Sequence, residues 1–323
     1  MPSPRRIGVL TSGGDAPGMN VAIRAVVRSG LAAGLEVVGV RRGYQGLVEG
    51  DFVPMPASSV SGIVHHGGTI LMSARSEEFK TVEGRQKAVD NLKAQQIDGL
   101  VVIGGSGTAR GAHALHEQHG VAVVLVPSSI DNDMGGTDFS IGFDSAVDTA
   151  VQCIDRIRDT ATSIERIFVV EVMGRDRGFI AVAAGLASGA ECIIVPEVPY
   201  RPDCVTGIIE KGRARGKNSY IIVVAEGAAK GDTVAEDIKK VIDAQVRVSV
   251  LGYLQRGGAP TAFDRILGSR FGAAAVQALL DGKGGQMVGL RRLGIEISPI
   301  DTVWKEEKAL DTSLLELAER LAV

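Results

Sequence analysis

Positive charge is not in excess in this chain: 35 lysines and arginines against 38 acids leave a net charge of −3. That balance excludes a general polycationic surface for nucleic acid, while leaving room for a local basic site that takes a phosphorylated metabolite. Long apolar runs are also missing. No stretch reaches the length needed to cross a bilayer, and MPSPRRIGVL leads into a short apolar strand with no signal-length hydrophobic segment. Cysteine is sparse and odd in number. Cys153, Cys192 and Cys204 have no metal-type spacing. Together these absences point to a cytoplasmic protein in a reducing compartment, without a nucleic-acid or membrane partner. Aromatics reach only 4%, with Trp304 the single tryptophan, whereas there are 42 glycines. Few rings and many glycines fit an α/β enzyme whose backbone closes tightly on polar ligands.

The 323 residues are enough for a large core and two domains. Apolar runs of strand length recur at residues 7–10, 35–40, 100–103, 121–126, 167–172, 192–195, 220–224 and 246–251, and helical patterns lie between them. Such alternation predicts parallel sheets with helices on both faces. No Pro/Ser/Gly-rich linker divides the sequence, so two domains require the chain to cross between them more than once.

Several of these strands empty into glycine-rich turns. Residues 11–20 (TSGGDAPGMN) and 104–111 (GGSGTARG) each join a strand to a helix, as a phosphate or nucleotide site requires, although neither matches G-x-x-x-x-G-K-S/T or G-x-G-x-x-G. Residues 128–144 (SSIDNDMGGTDFSIGFD) place Asp131, Asp133, Asp138 and Asp144 behind an apolar strand. Loops at the carboxyl ends of such strands are where open α/β sheets bind ligands. Asp144 reads as an ordinary helix-start acid; Asp131 and Asp133 share one short turn and are candidates for a base or a metal ligand. Arg213, Arg215 and Lys217 are a basic cluster that also suits a helix C-terminus. His113, His116 and His119, three apart, read as a solvated helix face rather than a metal site.

The stretches IGVLTSGGDAPGMN, GGTILMSAR, VVIGGSGT, SSIDNDMGGTDFSIGFD, VVEVMGRDRG and VLGYLQRGGAPTAFDR, in that order, resemble the bacterial ATP-dependent 6-phosphofructokinase family over nearly the whole chain. The resemblance implies a phosphofructokinase-like fold of two doubly wound α/β domains with mostly parallel sheets. Residues 1–140 and 255–304 would form the nucleotide-binding domain, and 141–254 and 305–323 the sugar-phosphate-binding domain. It implies transfer of the terminal phosphoryl of ATP to the C1 hydroxyl of fructose 6-phosphate, in a cytoplasmic homotetramer whose active sites are shared between subunits.

The same resemblance implies the site. Asp131 would be the base, with Ser129 beside it, and Arg175 would neutralise the transferring phosphoryl. Gly13, Tyr44, Arg75, Ser76, Ser106, Gly107 and Thr108 would hold ATP. Arg166, Met173, Gly174, Glu226, Arg247, Tyr253 and Arg256 would join Ser129, Asp131 and Arg175 at the sugar phosphate, with Arg166 and Arg247 supplied by a neighbouring subunit. Arg24, Arg28, Arg158, Arg215 and Lys217 match an effector site for ADP or phosphoenolpyruvate, while Asp51 and Ser219 stand where the family has Arg and His. Gly107 and Ser128 match the ATP-using rather than the pyrophosphate-using type. Ser106 replaces the Asp of the family's GGDGS, which coordinates Mg²⁺. That leaves Asp133 as the metal-steering carboxylate, and keeps a low-activity or regulatory paralogue as the alternative function.

Overall fold

The computed structural model describes residues 4–322. In chain order the elements are β1 (Arg6–Ser12), α1 (Met19–Ala32), β2 (Glu36–Val40), α2 (Gly43–Glu49), β3 (Phe52–Pro54), α3 (Val82–Ala94), β4 (Gly99–Gly104), α4 (Ser106–His119), β5 (Val123–Pro127), α5 (Phe143–Ser163) and β6 (Ile167–Val172). They continue with α6 (Phe179–Ala187), β7 (Cys192–Ile194), α7 (Pro202–Arg213), β8 (Tyr220–Ala225), α8 (Gly231–Val241), β9 (Val246–Val250), α9 (Ala262–Leu280), β10 (Gln286–Arg291), β11 (Gly294–Pro299), α10 (Thr302–Lys305) and α11 (Ser313–Leu321). The chain divides into two compact units. The first holds the chain up to Ser129, Asp133–Asp144 and Arg256–Lys308; the second holds Ile130–Asn132, Ser145–Gln255 and the chain from Ala309.

The first unit is built on a seven-stranded sheet in the order β11-β10-β5-β4-β1-β2-β3. Its strands from β10 to β2 are parallel, and only the outermost pairs, β10 with β11 and β2 with β3, are antiparallel. Alternation along each strand sends side chains to opposite faces. Ile7, Val9, Val101, Ile103, Val124 and Val126 join residues of α1 and α9 in one core. Leu10, Leu100, Val102, Val123 and Leu125 join residues of α2, α3 and α4 in another. Continuously apolar strands are the mark of a sheet covered on both faces. Each fully buried aliphatic side chain contributes about 1.5–3 kcal/mol.

The second unit carries a four-stranded, fully parallel sheet in the order β7-β8-β6-β9. Ile167, Val169, Ile222 and Val224 pack with Val205 and Ile209 of α7 and Val234 and Ile238 of α8. α8 begins at Gly231 and stops at Val241. Val241 is exposed, whereas Ile242, just past the helix end, turns into the core.

Candidate active site

In the first unit β1 and β4 are neighbours, with Ser12 opposite Gly104, so the two glycine turns emerge side by side. The buried Thr108 hydroxyl donates to the Ser12 carbonyl at 3.0 Å and ties them together. Ser106, Gly107 and Thr108 form the first turn of α4, whose amides have no partners within the helix and are suited to an anion. A Cβ on the exposed Gly107 would meet nothing within 4 Å, so packing does not demand glycine there. Ser73 donates to the Gly13 carbonyl at 2.6 Å, which brings the segment bearing the exposed Arg75 to the same turn. The Ser76 hydroxyl accepts from the Phe79 amide at 3.2 Å.

Tyr44, expected against ATP, is largely buried. Its ring stacks on Phe79 with centroids 4.1 Å apart, and its hydroxyl donates to the Thr108 carbonyl at 2.6 Å. Burial pushes its ionisation far above the usual phenol range. It braces the turn at Thr108.

The four acids of residues 128–144 separate into distinct roles. Asp133 accepts from the Ser129 hydroxyl at 3.1 Å. Asp138 is structural: its carboxylate accepts from the Arg292 amide at 2.9 Å, and its carbonyl accepts from Lys308 Nζ at 2.6 Å. Burial, outweighing the nearby Asp138 and Asp133, pushes the Lys308 ammonium down to about 8. Asp144, in the first turn of α5, accepts from the Thr261 hydroxyl at 2.6 Å. Asp131 belongs to the second unit and is 4% exposed.

There, Arg175 Nε stands 3.7 Å from Asp131 Oδ2. Arg175 follows the end of β6, and its amide donates to Glu226 Oε1 at 3.0 Å. The backbone is unusual, with φ 138° at Gly174 and 54° at Arg175. Such rarely populated conformations cluster at functional sites. Met173 is half-buried beside them. Tyr253 is 83% exposed in the short 3₁₀ turn Gly252–Arg256. Arg256 lies in the first unit, where Nη1 donates to the Asp15 carbonyl at 3.1 Å.

Arg166 and Arg247 are not brought to Arg175. Arg166 precedes β6, and Arg247 pairs with Phe168 near the amino end of the same strand. The strand length that separates them from Met173–Arg175 is roughly 20 Å, at about 3.3 Å per residue.

Of the effector candidates, Arg158 and Lys217 converge on the buried Glu191, at 3.4 and 2.7 Å. Arg215 donates to its own helix end at the Lys211 carbonyl. Arg24 is half-buried and Arg28 exposed on α1, while Asp51 is bound by Arg41 and Arg42 at 2.9 and 3.1 Å. The three histidines of α4 are half-buried rather than solvated. His113 packs edge-on against Trp304 at 5.2 Å, and His116 Nδ1 lies 3.0 Å from the Val121 carbonyl. The Arg110 guanidinium lies over the same tryptophan, 5.0 Å from the ring centroid.

Among the buried polar residues that the sequence does not single out are Asp264 and Asn20. Asp264 is 0% exposed and accepts from the Gly142 amide at 2.9 Å. Asn20 is 1% exposed within an apolar helix. A polar residue on the buried face of α1 was the available signal.

Among the described residues, no three His, Cys, Asp or Glu side chains gather as a metal site. Mg²⁺ needs no such cage when it arrives on phosphates: it keeps several waters and takes one or two carboxylates. Asp133, with one oxygen on Ser129, fits that requirement. The Ser106 hydroxyl adds no charge.

A double set of parallel strands with ligand-ready turns at their carboxyl ends defines an α/β ligand-binding protein. The family model described as Phosphofructokinase matches residues 6–279. The chain is 54% identical over 321 residues to the ATP-dependent 6-phosphofructokinase 1 of Thermus thermophilus, covering 99% of this chain and 100% of that one. It is 52% identical over 319 residues to the ATP-dependent 6-phosphofructokinase of Listeria welshimeri, again with 99% and 100% covered. A solved phosphofructokinase from Saccharomyces cerevisiae superposes with a TM-score of 0.89 at 36% identity, over 99% of this chain and 48% of that one. The pyrophosphate-dependent phosphofructokinase of Marinobacter aquaeolei shares the fold, with a TM-score of 0.83 at 23% identity over 96% of this chain and 86% of that one. The chain belongs to the phosphofructokinase family.

Proposed function

We propose that the chain transfers the terminal phosphoryl group of ATP to the C1 hydroxyl of fructose 6-phosphate, giving fructose 1,6-bisphosphate and ADP. The observation that carries this reading is the buried Asp131 with Arg175 at 3.7 Å, beside a glycine-built backbone turn. Asp131 accepts the proton of the attacking hydroxyl as its oxygen bonds to the terminal phosphorus and the bond to ADP breaks. Phosphoryl transfer depends mostly on positioning and charge stabilisation, which is the role given to Arg175. Glu226 fixes the Arg175 amide with one oxygen and retains acceptor capacity for a sugar hydroxyl.

The first unit takes the nucleotide on Gly13, Ser106, Gly107, Thr108, Arg75 and Ser76. The second takes the sugar on Met173, Gly174, Glu226 and Tyr253, with Arg256 adding charge for its phosphate. Arg166 and Arg247 serve a neighbouring copy, a role that their distance along β6 from Arg175 supports. That sharing supports an oligomer, which we assign as a homotetramer, in the cytoplasm, on the family pattern. Arg158, Arg215 and Lys217, with Arg24 and Arg28, are assigned to an effector anion such as ADP or phosphoenolpyruvate. ATP rather than pyrophosphate is favoured by the open space above Gly107, where an added acid would face the phosphates. Asp133 would hold Mg²⁺ carried by the nucleotide. Bound there, the ion would neutralise phosphate charge.

Parallel assays with ATP and with pyrophosphate, each with and without excess Mg²⁺, test the reading. ATP turnover is expected, and Asp131→Ser is expected to lower kcat by about 10²–10⁴, the usual share of a general base. Undiminished turnover in that variant overturns the mechanism. The specific observation favouring a weakly active paralogue is the uncharged Ser106. Tight sugar-phosphate binding without turnover, restored by Ser106→Asp, would select it.

A further inference from the structure

Asn20 is the second residue of α1, and its side chain has no water to turn to. A buried primary amide has two donor hydrogens and an acceptor oxygen to satisfy. Its Nδ2 donates to the His66 and Gly67 carbonyls, both at 3.1 Å. Its Oδ1 accepts from the Ile70 amide at 2.8 Å. All three partners lie within residues 61–76, which form neither helix nor strand, so no ladder of their own fixes them. The same segment is tied to β1 by Thr11, which donates to the Met72 carbonyl at 3.0 Å, and by the Ser73 bond to Gly13. Arg75 follows two residues later.

The segment also rests on a second turn. A Cβ on Gly67 would overlap the Gly258 carbonyl oxygen, so the two backbones are in direct contact. Arg256, two residues before Gly258, lies against Gly14, where a Cβ would overlap its guanidinium, and donates to the Asp15 carbonyl at 3.1 Å. These contacts close a ring. It runs from α1 through Asn20 to Gly67, across to Gly258, back along Arg256 to Gly14 and Asp15, and so into α1 again.

We infer that Asn20 is a positioning residue whose amide sets the two arginines, Arg75 and Arg256, relative to the Gly13 turn and so couples the nucleotide and sugar-phosphate seats. The inference rests on the function proposed above for those arginines. Asn20 touches neither substrate. It acts by holding one irregular segment in contact with another.

The test pairs kinetics with hydrogen exchange. Asn20→Asp keeps an acceptor for Ile70 but aims a second oxygen at two carbonyls; Asn20→Leu keeps the volume and loses all three bonds. In both, KM for ATP and KM for fructose 6-phosphate are expected to rise about tenfold, with kcat changed less than about threefold, because binding groups are displaced while Asp131 and Arg175 are not. Amides of residues 66–72 and of 256–260 should exchange faster together, while those of β1 and β4 stay protected. Ser73→Ala, which cuts only the tie next to Arg75, should raise KM for ATP alone. Faster exchange confined to 66–72, or lost thermal stability with both KM values unchanged, overturns the coupling. If the Asn20 variants do not fold, Gly67→Ala pushes the same contact from the other side. It should raise KM for fructose 6-phosphate and speed exchange at 256–260; no change in either refutes the ring. A wild-type chain without turnover would reject the proposed function, while the exchange comparison would still decide the coupling.

Discussion

Replacing Gly174 with alanine tests the link between backbone conformation and chemistry most directly. At φ 138° Gly174 occupies a region that residues with a side chain rarely enter, and an added Cβ would lie 2.5 Å from the Arg177 carbonyl oxygen. Ordinary contact needs close to 1 Å more. The Arg177 amide donates back to the Gly174 carbonyl at 3.0 Å, so the turn cannot open without losing that bond. Backbone strain of this kind costs about 1–3 kcal/mol. Stability should therefore fall by a similar amount, read as a lower urea midpoint with unchanged slope. The larger effect should be on rate. Arg175 is the next residue, and its amide is fixed to Glu226, so relief of the clash moves the guanidinium away from Asp131. A misplacement of about 1 Å typically costs about 10²-fold in rate. A coupled assay on folded Gly174→Ala should show kcat down by about that factor, with KM for ATP little changed, since the residues proposed to hold ATP are in the other unit. A kcat within threefold of wild type, in a protein whose stability has dropped, would show that Arg175 is not placed by this turn.

Other perturbations have equally definite signs. Gly107→Asp should fold normally, because a Cβ there meets nothing, and should raise KM for ATP at least about tenfold through like-charge repulsion. Ser106→Asp should lower the Mg²⁺ concentration giving half-maximal rate by about tenfold, since a carboxylate is the better ligand for a hard cation; an unchanged Mg²⁺ titration refutes the role given to that position. Lys308 predicts a pH effect. Its folded value near 8 lies below the unfolded value of about 10.4, so between the two the unfolded chain holds more protons and stability rises with pH. Below that window the buried ammonium costs up to about 3 kcal/mol. Lys308→Met should lose the rise, and parallel urea midpoints for the two proteins from pH 7 to 10 would refute it.

Much of the fold was legible because parallel strands buried on both faces are continuously apolar, as in VVLVP and YIIVVA. The strands that escaped, β3, β10 and β11, lie toward the two sides of the first sheet and take part in its two antiparallel pairings. β3 spans only Phe52–Pro54, too short for a period. The β10–β11 hairpin turns through Arg292 and Leu293, at φ 47° and 70°. Those conformations usually call for Asn-Gly, so an Arg-Leu pair carries no turn signal. At the site, Asp131 and Arg175 stood out through their motifs, and the structure brings them together. The stacking of Tyr44 on Phe79 left no local signal, since the two lie 35 positions apart. The separate duties of Asp138 and Asp144 depend on Lys308 and Thr261, and contacts at such separation leave no local pattern.

Trp304 gives the chain an optical consequence. As the single tryptophan it accounts for all indole emission, so no background from other sites has to be subtracted. Arg110 over its face and His113 at its edge both belong to α4, the helix that begins with Ser106, Gly107 and Thr108. A tilt of α4 changes what surrounds the indole. The proposed arrival of nucleotide at the head of that helix can therefore be tested by emission from its flank, in the unlabelled protein and without turnover.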